Sequence, residues 1–216
     1  MKLINPAFSG IKNIIFDYGG VVIDIHYQRT QQAFQDLGVA NVPALMTGPA
    51  VNDLFYQFET GNIGAEPFLN RLWAFLPGET MNDGDTVYKM VQAWNAMLGI
   101  IPAERLTLLT TLKEHYNTFL LSNTNTLHIA AVDGYLKREH NVNSIHPFFH
   151  KVYYSYEMGM RKPNADIYES VLQKENLNPA ETLFIDDNED NINAAKALGI
   201  HTIHLIEPQH ILELFA

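Results

Sequence analysis

The chain has 216 residues, 24 of them acidic and 14 basic, for a formal net charge of −10 with histidine neutral. That balance, without a Lys/Arg cluster, repels phosphate backbones and acidic lipid surfaces, so neither nucleic acid nor membrane is an expected partner. Cysteine is absent, which excludes disulfides, thiolate catalysis and sulfur-ligated metal sites, while a 47% apolar share with 12 Phe and 10 Tyr can fill a sizeable core. No apolar run approaches the ~20 residues of a membrane span, and residues 1–10 lack a signal-peptide core, so a cytoplasmic globular protein is expected.

Residues 11–18 (IKNIIFDY) form a short apolar run that ends in an acid and then Gly19-Gly20. A continuous apolar strand bounded by glycines suits a parallel sheet covered on both faces. From about 25 to 99 only helical patterns occur. Residues 65–76 present Phe68, Leu69, Leu72 and Phe75; residues 85–98 present Val87, Met90, Val91, Trp94 and Leu98. Breaks are expected at Thr47-Gly48-Pro49, Thr60-Gly61 and Pro77-Gly78. Residues 102–115 begin with proline in the first helical turn and carry Leu106, Leu109 and Leu112. Strand patterns then recur at 118–122, 151–155, 182–185 and 201–205. Between them lie helical patterns at 164–175 and at 191–198, the latter stopping at Gly199. Alternating strands and helices predict a Rossmann-like, doubly wound α/β core of residues 1–24 and 100–216. The all-helical block 25–99 reads as a cap inserted over the ligand-binding ends of the strands.

What ends each strand is informative. The first ends in Asp17, the second in Ser122-Asn123-Thr124 and the fourth in Asp186-Asp187, while Lys162-Pro163 follows the third. Carboxyl ends of neighbouring parallel strands converge on one crevice. Carboxylates that can hold a hard cation, a hydroxyl beside helix-start amides, and an ammonium suit phosphoryl transfer. An aspartate can attack phosphorus, giving an aspartyl-phosphate that water then hydrolyses.

These segments, FDYGGVV, LLSNTN, SYEMGMRKP and FIDDNEDNINAAKALG, resemble in order the four motifs of the haloacid dehalogenase-like superfamily, over the whole chain. DYGGVVID with GMRKP and DDNEDN is similar to the subgroup containing a bacterial α-glucose-1-phosphatase; the phosphatase domain of soluble epoxide hydrolase is related. The resemblance implies Asp17 as nucleophile, Ser122 and Asn123 as phosphoryl-holding residues, and Lys162 as the cationic partner. It implies Mg²⁺ held by Asp17, the Gly19 carbonyl and Asp187, with Asp186 and Glu157 in support. A small phosphorylated metabolite is the implied substrate. One position departs from the pattern: Gly19 stands where a second aspartate usually serves as general acid and base. Asp24 or His26 could donate instead, or the leaving group could need little protonation, as in a sugar 1-phosphate. A metal-independent dehalogenase and a non-catalytic phosphate-binding module are the alternatives.

Each residue has a plainer reading. Asp17 could cap a turn, Ser122 and Asn123 a helix, and Lys162 could be a solvated loop lysine. Asp190 reads as complementing a helix dipole. His146 and His150 lack a third ligand at a recognisable spacing, so zinc is not expected. His201 and His204 read as structural. Tyr27, Tyr56 and Trp94-Asn95 are candidates to face substrate from the cap.

Overall fold

The computed structural model describes residues 8–39, 41–42, 49–76 and 84–215. Five strands, β1 (Asn13–Phe16), β2 (Asn117–Ser122), β3 (Lys151–Tyr154), β4 (Thr182–Asp186) and β5 (His201–His204), form one sheet. Its order is β3-β2-β1-β4-β5, with every pairing parallel. The expected doubly wound α/β fold is present. β1 is central, and Ile14, Ile15 and Phe16 are completely buried because both faces of the sheet are covered.

The pleat sorts each strand's side chains onto two faces. Ile14, Phe16, Leu120, Leu183 and Ile185 pack with Leu106, Leu109 and Leu112 of α5 (Ala103–Lys113) and with Val132 and Leu136 of α6 (Thr126–His140). Ile15, Phe119, Leu121 and Phe184 pack on the other face, against Ile167 and Val171 of α8 (Ala165–Lys174) and Ile192 and Ala195 of α9 (Glu189–Ala197). A short helix, α7 (Ser155–Met158), leaves β3 directly. At roughly 1.5–3 kcal/mol for each fully buried large apolar side chain, these two layers dominate the fold's stability.

Several helical boundaries differ from the expectation, among them the starts of α5 and α9. Pro102 is the N-cap of α5 with extended ψ, one position before the first turn. α9 starts at Glu189, two residues early, because the Asn188 side chain accepts from the Asp190 and Asn191 N–H groups and so caps the helix. α6 was not singled out in the sequence: its apolar positions are spread widely, and Gly134 interrupts the pattern.

Among the described residues, four helices lie between β1 and α5: α1 (Tyr27–Asp36), α2 (Pro49–Glu59), α3 (Ala65–Trp73) and α4 (Gly84–Asn95). Pro49 opens α2, and the expected breaks at Thr47-Gly48 and Pro77-Gly78 lie outside the described residues. The four helices share a separate apolar cluster of Phe34, Phe58, Phe68, Leu72, Met90 and Trp94, against which Leu127 of α6 packs. Phe58 and Phe68 stack with centroids 4.1 Å apart. The chain's entry to these helices and its exit run antiparallel. Asp24 N–H donates to Ile100 O (3.0 Å), His26 N–H to Met97 O (2.8 Å) and Gly99 N–H to Asp24 O (2.8 Å). Among the described residues, no helix is long and apolar enough to cross a membrane.

Candidate active site

Parallel pairing brings the carboxyl ends of β2, β1 and β4 side by side, and the expected residues meet there. Asp17 extends the β1 ladder by one bond, its N–H donating to Ile185 O at 2.9 Å. Lys162, from the loop between α7 and α8, is 1% exposed. Its ammonium lies 2.8 Å from Asp17 Oδ1 and 2.6 Å from Asp186 Oδ2. The solvated-lysine reading of Lys162 is therefore excluded: this is a buried cation held between two carboxylates.

Asp186 is fully buried and fully engaged. Besides Lys162 it accepts from Asn188 N–H (2.8 Å) and from Asn191 Nδ2 (3.0 and 3.1 Å), so it orients its neighbours. Asp187 turns toward the crevice. Gly20, at φ +69°, runs so close beneath it that a Cβ would fall 2.2 Å from Asp187 Oδ2. Only glycine fits that position, on both backbone and steric grounds. His204 Nε2 lies 2.9 Å from the Asp187 carbonyl oxygen and His201 Nε2 lies 3.1 Å from that of Ala180, both structural contacts. His150 Nδ1 accepts from Thr118 N–H at 3.1 Å.

Ligand atoms of Asp17, Asp186 and Asp187 all lie within 4.8 Å of one another. Burial pushes the Asp17 carboxyl up to about 7 despite the Lys162 charge beside it, with Asp186 and Asp187 adding to the rise. Burial, then Asp186, also raises Asp187. Lys162 is pulled down by burial, but Asp17 and Asp186 outweigh this and hold it above its usual value. With all three carboxylates ionised, one ammonium would leave two negative charges unbalanced. An all-oxygen set with that deficit fits a hard divalent cation.

The second strand's motif behaves differently from the expectation in one respect. The Asn123 side chain is spent on Lys162: its Nδ2 donates to Lys162 O (2.8 Å), and Lys162 N–H donates to its Oδ1 (2.9 Å). The Asn123 carboxamide is thus a clamp on the lysine's backbone and not a free phosphoryl ligand. Ser122 lines the crevice, as expected. Thr124 N–H donates to Ser155 Oγ (2.9 Å), which in turn donates to Thr124 O (3.1 Å), fixing the loop against α7.

Above these groups lies a cavity of about 540 Å³. Tyr27, Phe55, Glu59 and Trp94 line it from the inserted helices; His128 and Arg161 line it from the sheet-bearing part. Trp94 and His128 stack in parallel with centroids 5.1 Å apart, and His128 Nδ1 lies 2.8 Å from Asn95 Oδ1. Burial lowers His128 to about 3, so its imidazole is neutral at ordinary pH. Tyr56 does not line the cavity; its ring sits 5.8 Å from the Arg161 guanidinium.

Two supporting residues read from the sequence lie elsewhere. Asp24 accepts from Arg105 Nη1 at 2.7 Å and is absent from the cavity wall, because the buried guanidinium, also bonded to Val22 O, draws it away. Glu157 is exposed and accepts from the Tyr156 hydroxyl at 3.1 Å, while Lys162 takes its carboxylates from Asp17 and Asp186. His26 is also outside the wall. Arg161, Asn191, Glu59 and His128 were not picked out in the sequence. The first two lie inside the quoted motifs next to the residues that were; Glu59 and His128 carry no spacing signal.

A family model described as haloacid dehalogenase-like hydrolase matches residues 11–199. The chain belongs to that family. A D-ribitol-5-phosphate phosphatase from Bacteroides thetaiotaomicron is 31% identical over 193 residues, covering 89% of this chain and 90% of that protein. A sesquiterpene phosphatase from Aspergillus oryzae is 30% identical, covering 91% and 90%. A haloacid dehalogenase-family enzyme from B. thetaiotaomicron, solved as a magnesium complex, superposes with a TM-score of 0.80 at 34% identity, covering 90% and 92%. With these relatives, this haloacid dehalogenase-like protein is a phosphoric monoester hydrolase.

Proposed function

We propose that the protein is a Mg²⁺-dependent phosphatase of a small phosphorylated metabolite, working through an aspartyl-phosphate on Asp17, with residues 25–99 as its cap. The observation that carries this reading is the buried Asp17–Lys162–Asp186 array beside Asp187. Asp17, the Gly19 carbonyl and Asp187 would hold Mg²⁺, which when bound offsets negative charge on the carboxylates and on a phosphoryl group. The Asp17 carboxylate attacks phosphorus as the phosphorus–oxygen ester bond breaks, the leaving oxygen takes its proton from water, and Lys162 balances the charge of the phosphoryl oxygens. Ser122 and the backbone N–H of Asn123 hold those oxygens, the Thr124 N–H being engaged by Ser155. Water then cleaves the aspartyl-phosphate. A halide-displacing enzyme has no use for so acidic a crevice, since the carboxylates would repel both nucleophile and anionic substrate.

The name of the B. thetaiotaomicron relative supports a phosphorylated sugar or alditol as substrate. Within that class, the likeness of the motifs to the α-glucose-1-phosphatase subgroup and the missing side chain at Gly19 favour a leaving oxygen that needs little protonation, as in a sugar 1-phosphate. Hydrolysis of an aryl phosphate after chelation, then with Mg²⁺ restored, tests the reading. Mg²⁺-dependent turnover is expected; an unchanged rate in chelator overturns the metal requirement, and no turnover under either condition overturns the phosphatase.

A further inference from the structure

Besides the carboxylate cluster, the cavity wall contains a second charged pair that the phosphoryl chemistry does not use. Glu59, the last residue of α2, and Arg161, the residue before Lys162, face each other across the junction of cap and core. Arg161 Nη1 lies 3.0 Å from Glu59 Oε2, and the side chains are 29% and 21% exposed. The turn after Glu59 is pressed onto the core: a Cβ on Gly61, at φ +69°, would lie 2.2 Å from the Tyr156 carbonyl oxygen. Arg161 is fixed a second time by the Tyr56 ring, 5.8 Å from its guanidinium carbon. Both members of the pair line the cavity.

The pair is close but misaligned. Although Glu59 Oε2 is within ion-pairing distance of Arg161, it is buried and receives no hydrogen bond. That oxygen is enclosed, so what the pair turns to the cavity is the partly exposed remainder of the two side chains. Arg161 holds five N–H groups, more than one carboxylate can use. Together they present an acceptor and donors a few ångströms apart, the complement of an alcohol, which donates its proton and accepts at its oxygen. Both charged groups lose hydration without return against a hydrocarbon chain.

We propose that Glu59 and Arg161 form a hydroxyl-recognition site that favours polyhydroxylated monophosphates over apolar alkyl or terpenoid monophosphates. The proposal rests on the phosphatase reading above and adds to it the residues that select the substrate. Trp94 and Phe55 on the same wall offer apolar faces to the C–H groups such a molecule carries between its hydroxyls.

The test is a panel of kcat/KM values with Mg²⁺: alditol and sugar monophosphates, their singly deoxygenated analogues, an alkyl monophosphate and p-nitrophenyl phosphate. In the wild type, the best hydroxylated substrate should exceed its least favourable deoxy analogue at least about tenfold, and the alkyl compound by more, as for a site whose polar groups are left unpaired. In Glu59→Gln the ratio of hydroxylated substrate to p-nitrophenyl phosphate should fall about ten- to hundredfold. It should fall similarly in Arg161→Met, with the penalty for removing the hydroxyl largely gone in both. Equal losses on all substrates would make the pair a structural latch and overturn the proposal. So would a wild type indifferent to deoxygenation, a result that needs no variant to fold. An enzyme that hydrolyses none of the panel, p-nitrophenyl phosphate included, overturns the phosphatase reading and this one with it; turnover without discrimination overturns this one alone.

Discussion

Asn123 and Lys162 hold each other through two antiparallel hydrogen bonds, 2.8 and 2.9 Å long, between one carboxamide and one backbone unit 39 residues away. The clamp ties the end of β2 to the loop that delivers the ammonium. Asn123→Ala should lower kcat about 10- to 100-fold on an aryl phosphate, the range expected when a catalytic group is displaced by about 1 Å. Asn123→Asp keeps the acceptor for Lys162 N–H and loses the donor to Lys162 O, and should fall between. Steady-state kinetics of the two variants check this; activity in the alanine variant within twofold of wild type would contradict it.

Asp17→Asn should abolish turnover, since the amide has no anionic oxygen to attack phosphorus. It should also change how stability responds to pH. The folded pKa of Asp17, about 7, is above its unfolded value near 4. A carboxyl raised in this way stabilises the fold fully below pH ~4, and that contribution is lost as pH rises through about 7. In chelator, the Tm of Asp17→Asn relative to wild type should therefore climb from pH 5 to pH 8. A flat difference would show that the carboxyl is not strained when ionised.

Lys162→Met leaves Asp186 charged, completely buried and without its cation. Breaking a buried ion pair from one side costs about 3–5 kcal/mol, a large part of a domain's ~5–15. Urea denaturation should show that loss, together with a fall in turnover of at least about 100-fold. Lys162→Arg keeps the charge and should retain more of both. Equal midpoints for the Met variant and wild type would refute the buried array.

Gly20→Ala places a methyl group where Asp187 Oδ2 now lies and forces a left-handed backbone on alanine. The variant should lose at least ~1 kcal/mol and require more Mg²⁺ for half-maximal activity. Asp187→Asn should raise the Mg²⁺ requirement without the backbone cost. A titration with Mg²⁺ separates the two effects.

Gly19 is less constrained. A Cβ there meets only Ile25 Cγ1 at 3.1 Å and Cδ1 at 3.5 Å, the flexible end of one side chain. Gly19→Asp should be tolerated once Ile25 shifts, and should raise kcat/KM for glucose 6-phosphate relative to glucose 1-phosphate by supplying a proton donor, an effect typically worth ~10²–10⁴-fold where the leaving group is poor. The wild type should prefer the 1-phosphate; the reverse preference would point to a donor elsewhere in the cavity.

The sheet and the residues at its strand ends were legible because each apolar run stops at the chemistry it delivers: Phe16 precedes Asp17, Leu121 precedes Ser122, and Ile185 precedes Asp186. Sequence order and parallel pairing then bring those ends together. From the helical block, Tyr27 and Trp94 were legible and do line the cavity, whereas Glu59 was not. Glu59 reaches the cavity through the stacking of α2 on α3 and the seating of its turn on Tyr156, which depend on tertiary packing and leave no local period. Asp24 and Glu157 misled for the same reason. Their proximity in sequence to Asp17 and Lys162 says nothing of Arg105, 81 residues from Asp24, which sequesters the first.

The chain enters the helical block at Asp24 and leaves it at Ile100 with the two backbones directly hydrogen-bonded, so the block's two ends lie side by side. A segment inserted between ends this close does not set the register of β1 with β2 and β4 by its own length, so the cavity wall it supplies can differ while the residues at the strand ends keep their places.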